Sequence, residues 1–452
     1  MTQMTDHYLA QHESFARSRA GDPGWLNGLR RTGAERFAEL GFPTTKQEAW
    51  KYTNVAPITA TPFHIPDGTG ALGSPSDVGR AALGPSGGTR LVFVNGRFAP
   101  GLSTRLDLPG GVRATSLAAV LADEPGLVEP YLARLAPLDL NGFAALGAAF
   151  LADGAFVHLP AGSVVPDPIE LLFLSSASRE DLAAFPRVLV VAGENSHAEI
   201  VELHSGISTG ASAARSLTDA TTEIVLGDGA RLLHHRILRD GARGSHVATT
   251  QVVQGRDSEY ASLSVVLDAQ VARHDLRVLF DAEGASCSLD GLYLVHDGQL
   301  VDSHTLIDHA RPHGTSRELY KGILGGRARA VFNGRVVVRE NAQKSDAQQT
   351  NRNLLLSERA EIDSKPELEI FADDVKCTHG AAIGPPDPGM IFYLQSRGIA
   401  ADAARRMLTQ GFAAEILARI RRPALQASLE SMVKARIAES NAMDFRAREL
   451  LQ

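Results

Sequence analysis

The stretch ELEIFADDVKCTHGAAIG, residues 367–384, holds one of the chain's two cysteines and a histidine two residues beyond it. Ile370, Phe371, Val375 and the flanking turn residues predict a strand over 369–381, from which Cys377 and His379 would project on one face. A thiolate and an imidazole pointing one way can begin a soft-metal or iron–sulfur site. They do not complete one: a closed site takes about four ligands, and no other cysteine lies within 80 residues. Two accounts stand at this level. Val375 shares the parity of the pair, so all three can face an apolar interior; or the remaining ligands come from another chain. Asp373-Asp374 can also introduce a bulge that re-aims the side chains after it.

Other reactive residue types carry less. Cys287, in GASCSLDGLYL, has no adjacent histidine and reads as a small core residue, not a ligand. His309 and His313 would share a helix face, but Pro312 and Gly314 break any helix there. No carboxylate is placed as in a metalloprotease motif, so these and His304 read as polar loop histidines. His234 and His235 point to opposite faces of a strand. There is no GxxxxGK[ST], and Lys321-Gly322 in RELYKGILGG lacks a phosphate-cradling loop. Neither GxSxG nor GxGxxG occurs between a strand and a helix. The chain itself is therefore expected to bind no nucleotide. The amide-rich run NAQKSDAQQTNRNLLLS, 341–357, suits ladders between stacked strands. A competing reading, a β-helix carbohydrate lyase or hydrolase, would draw on Arg335, Arg339 and Asp346, although aromatic content of 6% leaves few sugar platforms.

The elements that must position these residues fall into three regions. Residues 1–152 form an N-terminal helical and mixed region: Leu9, Phe15, Trp25, Leu29, Phe37 and Leu40 lie at helical spacing, and Thr89–Asn95 reads as a strand. Residues 153–386 are dominated by strand-like runs with no ten-residue helical pattern between them, which excludes a doubly wound α/β fold. Turn signals recur at Gly193–Ala198, Gly227–Ala230, Gly255–Ser258, Gly284–Ser286, Gly325–Ala328 and Ser357–Ala360. Most are spaced 27–32 residues apart, with one gap of about 42. Strands and tight turns at that period suit a parallel β-helix whose rungs share one core, with a β-sandwich as the rival. Residues 387–452 return to helical periodicity, with Leu408, Phe412, Ile416 and Ile420 every four residues and Pro423 opening a further helix. So small a helical unit must lean on the solenoid or on a partner.

The whole chain narrows the function classes. Its 452 residues carry 44% hydrophobic content and a net charge of −7, which gives no electrostatic case for nucleic acid or an anionic membrane. The first residues contain no apolar signal core, and no run approaches the ~18 apolar residues of a spanning helix. Two cysteines are too few for a disulfide framework. A soluble, cytoplasmic protein is expected.

Four blocks carry a family resemblance: IDHARPHGTSRELYKGIL (307–324), NGRVVVRENAQKSDAQQTNRNLLL (333–356), DSKPELEIFADDVKCTHGAAIG (363–384) and IFYLQSRGI (391–399). With GFPTTKQEAWKYTNV (41–55) they occur in the order and spacing of the SufD family of iron–sulfur cluster assembly proteins, which the chain closely resembles. The resemblance implies a mainly β fold, a right-handed parallel β-helix core between helical terminal regions. It implies a non-catalytic scaffold in a complex with a SufB-type subunit and an ABC-type ATPase, SufC. Docking of the ATPase would fall to the C-terminal helices, which fits the stripe Leu408, Phe412, Ile416 and Ile420. It further implies that His379, with Cys377 beside it, contributes to a transient iron or iron–sulfur site shared with the SufB-type subunit. A homodimer paired through the Cys377 strand is compatible with the same residues.

Overall fold

The computed structural model describes residues 3–66, 73–84, 88–176, 180–207 and 214–449, with side chains described to residue 439. Its core is a β-solenoid of two facing parallel sheets. Sheet A runs from Arg90–Val94 through Ile169–Ser175 and His197–Gly206 and ends at Lys376–Gly384. Sheet B runs from Gly154–Leu159 through Arg187–Ala192 and Ser216–Leu226 and ends at Glu361–Ile370. In between, Arg231–Gln254 and Glu259–Phe280 serve both sheets, each bending from one into the other. In sheet A, Arg231 pairs with Glu259, then Ser286, Thr315, Asp346 and Lys376 follow in register, so one rung takes roughly 30 residues.

The repeating turns lie at two corners of the solenoid. Residues 193–196, 227–230 and 255–258 precede strands of sheet A, whereas 325–328 and 357–360 lead into sheet B. The irregular gap in the sequence spacing is therefore a change of corner. The first corner continues without a glycine signature at Ala342–Ser345 and at residues 371–375. This corrects the expected strand 369–381. Asp373-Asp374 lies in the turn between Glu361–Ile370 and Lys376–Gly384, where Lys344 N–H donates to the Asp374 carbonyl and its side chain ion-pairs with the Asp374 carboxylate. Residues 260–267 and 275–280 belong to one long strand, Glu259–Phe280.

Each sheet buries its outer side under a different region. The outer side of sheet A, including Val265, Leu292, Leu294, Leu319 and Ile323, packs against Ile416, Leu417, Ile420, Leu429 and Val433 of the helices Ala401–Leu417 and Pro423–Glu449. Polar clamps add to this seat: Lys321 Nζ donates to the Phe412 carbonyl at 2.8 Å and pairs with Glu415 at 2.6 Å, and Arg419 pairs with Asp290 at 2.7 Å. Outside sheet B lies the N-terminal region. Arg273 bonds Asp275 and Asp302, donates to the Ala49 carbonyl and lies 3.8 Å over the Trp50 ring, while Thr53 bonds Asp302. The 41–55 motif is thus a docking segment for that wall.

Alternation along the strands decides what enters the solenoid. One inward column runs Tyr260, Cys287, Ser316, Ala347, Cys377; the next runs Ser262, Leu289, Glu318, Gln349, His379. Apolar side chains fill much of this space, but a polar band crosses it. Glu202 accepts from His204 at 2.8 Å, Thr222 at 3.1 Å and His234 at 3.2 Å, and His234 also bonds the Tyr260 hydroxyl. Burial alone would raise the Glu202 carboxyl, yet the bonds and charge of His204 and His234 hold it well below the usual range. Glu318 has no such partners. Burial pushes it up to about 7, against the lowering effect of Thr305 and Gln349.

An acid raised on folding binds its proton more tightly in the native state, so it erodes stability as pH climbs from its ordinary range to its native value. For Glu318 that window lies between about pH 4.5 and 7. Glu318→Gln should therefore be more stable than wild type at pH 8, by the order of 3 kcal/mol, with the advantage fading toward pH 4.5. Urea unfolding at several pH values checks this. Parallel stability curves for the two proteins would contradict it.

Candidate functional site

The last rung sets the geometry. Strand Lys376–Gly384 pairs on one edge with Asp346–Leu355, and no other named strand lies beyond it among the described residues. An edge strand presents a row of unpaired backbone donors and acceptors, ready to pair with another chain. Cys377, partly buried, packs against the solenoid core above Ala347. His379 stands exposed above Gln349, whose side chain is enclosed in the interior. The two residues therefore continue adjacent inward columns at the open mouth of the solenoid. Cys377 is raised by burial, and Cys287, buried deeper in the same column, is raised much further.

Among the described residues, no group of three His, Cys, Asp or Glu side chains is arranged to hold a metal ion. A thiol and an imidazole at a free edge can supply part of a ligand set, with the rest coming from whatever pairs there. The surroundings suit burial against another surface. Ile370, Phe371 and Ile383 are exposed around the terminal rungs, and the following helix Pro388–Ser396 buries none of its residues, leaving Phe392 72% exposed beside Met390 and Tyr393. Apolar side chains gathered at one end of a protein mark an interaction surface.

The other sequence candidates separate cleanly. Ile416 and Ile420 are buried against sheet A, and Phe412 covers Lys321 with its ring 4.0 Å from the ammonium; Leu408 is half-buried. The stripe from Leu408 to Ile420 is chiefly the helical unit's own seat on the solenoid, because helical spacing reports an apolar face and not what covers it. His309 is no loop residue: it ends the strand Leu300–His309, fully buried against Phe280 and bonded to Ser316. His304 meets Asp302 at 3.0 Å, and His313 sits exposed in a turn. His234 lies inside and His235 faces Glu199 outside, as alternation requires. Arg335, Arg339 and Asp346 gather in no groove: each has its own partner, Glu369, Asp308 and Arg317 respectively. Sequence reasoning passed over Glu318, took Gln349 only as part of an amide-rich run, and read 388–396 as helical without singling out its exposed apolar side chains. Inward parity marked the first two, and IFYL, an apolar run without a polar face, marked the third.

Comparison with known proteins gives this arrangement a family. Residues 173–412 match the model described as SUF system FeS cluster assembly, SufBD core domain, and residues 1–171 match the SufBD protein N-terminal region. An iron–sulfur cluster assembly SufBD family protein of Synechocystis is 36% identical over 91% of each chain. The iron–sulfur cluster assembly protein SufD of Escherichia coli is 30% identical over 90% of each, and that of Bacillus subtilis 27% identical over 92% of this chain and 95% of its own. The chain belongs to the SufBD family of iron–sulfur cluster assembly proteins.

Burial orders the two thiols, because the thiolate is the reactive form and a raised pKa leaves less of it. In the native protein one thiol, Cys377, should react with iodoacetamide, slowly at pH 8 and faster as pH rises past 9, while Cys287 reacts only after denaturation. Mass spectrometry of the alkylated chain measures this. Modification of both thiols at equal rates in the folded protein would refute the placement.

Proposed function

We propose that this SufBD-family chain is a non-catalytic scaffold subunit that supplies half of an iron or nascent-cluster site at its open solenoid edge. The carrying observation is the conjunction at one place: an unpaired terminal strand, Cys377 and His379 in its inward columns, and an exposed apolar rim of Ile370, Phe371 and Ile383. A second solenoid of the same kind, a SufB-type subunit, would pair with Lys376–Gly384 and complete the ligand set with a thiolate and a carboxylate. Iron or the cluster is cargo in this reading, held transiently between subunits. His379 is the main ligand, and Cys377 adds a thiol whose raised pKa a metal would offset. A homodimer through the same strand would form when the partner is missing. The relatives named SufD support the scaffold role, and a cytoplasmic setting accords with it. No helix among the described residues is long and apolar enough to cross a membrane.

The C-terminal helices are proposed to carry a SufC-type ATPase, with the exposed Met390, Phe392, Tyr393 and Met407 as the contact surface in place of the seated Ile416 and Ile420. ATP-driven movement of that subunit would reach the solenoid edge through the helices packed on sheet A. The chain contributes no nucleotide site of its own in this scheme.

Two experiments bear on these assignments. His379→Ala, co-expressed with the neighbouring assembly proteins, should lower iron and cluster content several-fold while native mass shows an intact complex. Equal iron content in wild type and variant would remove His379 from the site. Phe392→Asp should lose a co-purifying ATPase in a pull-down without loss of thermal stability, and undiminished recovery would discard the helix 388–396 as its docking surface.

A further inference from the structure

Resting on the edge-site reading, one arrangement behind His379 has no role so far. Gln349 lies next to His379 in register, and Glu318 next to Gln349 on the far side. Both are enclosed, at 1% and 3% exposure. Gln349 Nε2 donates to Glu318 Oε2 at 2.7 Å. That bond turns the amide so that its carbonyl faces away from the acid, yet Gln349 Oε1 is buried with no hydrogen-bond partner. An enclosed acceptor left unpaired is costly, so the site calls for a donor. Adjacent strands stand about 4.8 Å apart, and the side chain one strand onward is His379, which is exposed and does not bond Gln349 in this structure but whose ring, when neutral, carries one N–H. Gly334, from the opposite sheet, gives the amide its room: a Cβ there would strike Gln349 Nε2.

We infer that Glu318 and Gln349 form a hydrogen-bonded column that receives a ring N–H of His379, fixes its tautomer and leaves the other nitrogen's lone pair facing the shared iron. An amide is suited to the middle place because it donates on one side and accepts on the other. Its acceptor is a neutral carbonyl oxygen, which a single ring N–H can satisfy. Glu318 sets the direction of the amide. Neither residue touches the metal, and both are positioning residues of the kind that orient ligating histidines from behind. The raised pKa of Glu318 accords with this, since near neutrality much of the acid is uncharged inside the solenoid.

The test uses the full-length, metal-free chain labelled with 15N-histidine, in which long-range 1H–15N spectra report the tautomer and His379→Ala identifies the signal. Wild type should show one tautomer of His379. Gln349→Met, close in size but lacking the amide, should show both, while the buried His204 and His234 signals stay in place. Should that variant fail to fold, Gln349→Asn, which shortens the reach by one methylene, serves for the same comparison. Glu318→Gln should keep the single tautomer, and Glu318→Leu should behave like Gln349→Met. In the co-expressed complex, Gln349→Met should weaken Fe2+ binding about 10–100-fold. Identical tautomer populations in wild type and Gln349→Met would overturn the column, and an unaltered Glu318→Leu would remove Glu318 from it. Intact iron loading in His379→Ala would instead defeat the edge site and leave the tautomer result untouched, so the two failures are distinguishable.

Discussion

A parallel strand satisfies its backbone only with a neighbour on each side, and this requirement governs the molecule. Every rung is a template for the next, and in sheet A the register that starts at Arg231 carries through to Lys376, with shifts only between Leu238 and Ser245 where the strand bends into sheet B. The two ends meet the requirement differently. At the start, Arg97–Phe98 pairs antiparallel with Arg90–Val94, and Arg113–Ser116 with Gly154–Leu159, so short strands from the N-terminal region turn back on the first rungs. At the other end, Lys376–Gly384 has a neighbour on one side only among the named strands. The thiol of Cys377 and the imidazole of His379 sit on this strand, where the backbone is left incomplete.

The interior has its own constraint. Alternation sends every second residue inward whatever its polarity, so a polar side chain on that parity must find a partner inside. The Glu202 cluster does so with two histidines, a threonine and, through His234, a tyrosine. Near the open end Asn351 and Asn353 bond one another and the Tyr293 hydroxyl, while Gln349 and Glu318 each retain an unbonded oxygen. Glycines accommodate the larger rings of this region. A Cβ at Gly291 would strike Tyr320, and one at Gly322 would strike Tyr293. The rungs that approach the mouth are thus packed around side chains that a purely apolar core would not contain.

Helices on the two outer walls have different attachments. Arg273 and Asp302 tie the 41–55 segment to sheet B, whereas a broad apolar seat with ion pairs at its margins holds the C-terminal helices on sheet A. The helix Pro388–Ser396 joins the open rung to that seat and buries none of its own residues. It lies where movement of the helices and events at the edge strand would meet.

The strand-and-turn period, the absence of intervening helices and the alternation at His234-His235 were legible in the sequence, because each depends on local spacing. So was the pairing of Cys377 with His379 on one face, since two residues on a strand share a side wherever that strand is placed. Spacing could not reveal what lies across from a face. Leu408, Phe412, Ile416 and Ile420 were legible as one stripe, but only the packing of Phe412, Ile416 and Ile420 in one cluster with Leu319 and Ile323 makes it a seat. His309 looked like a loop residue beside Pro312 and Gly314 until the register placed it inside against Phe280. The sequence by itself determined a stacked β core, its helical flanks and a cysteine–histidine pair on one strand face, all set by residues near one another along the chain. The tertiary structure alone decided that this pair ends a solenoid and that Gln349 and Glu318 lie behind His379, because columns across rungs join residues some thirty positions apart that only backbone pairing brings side by side.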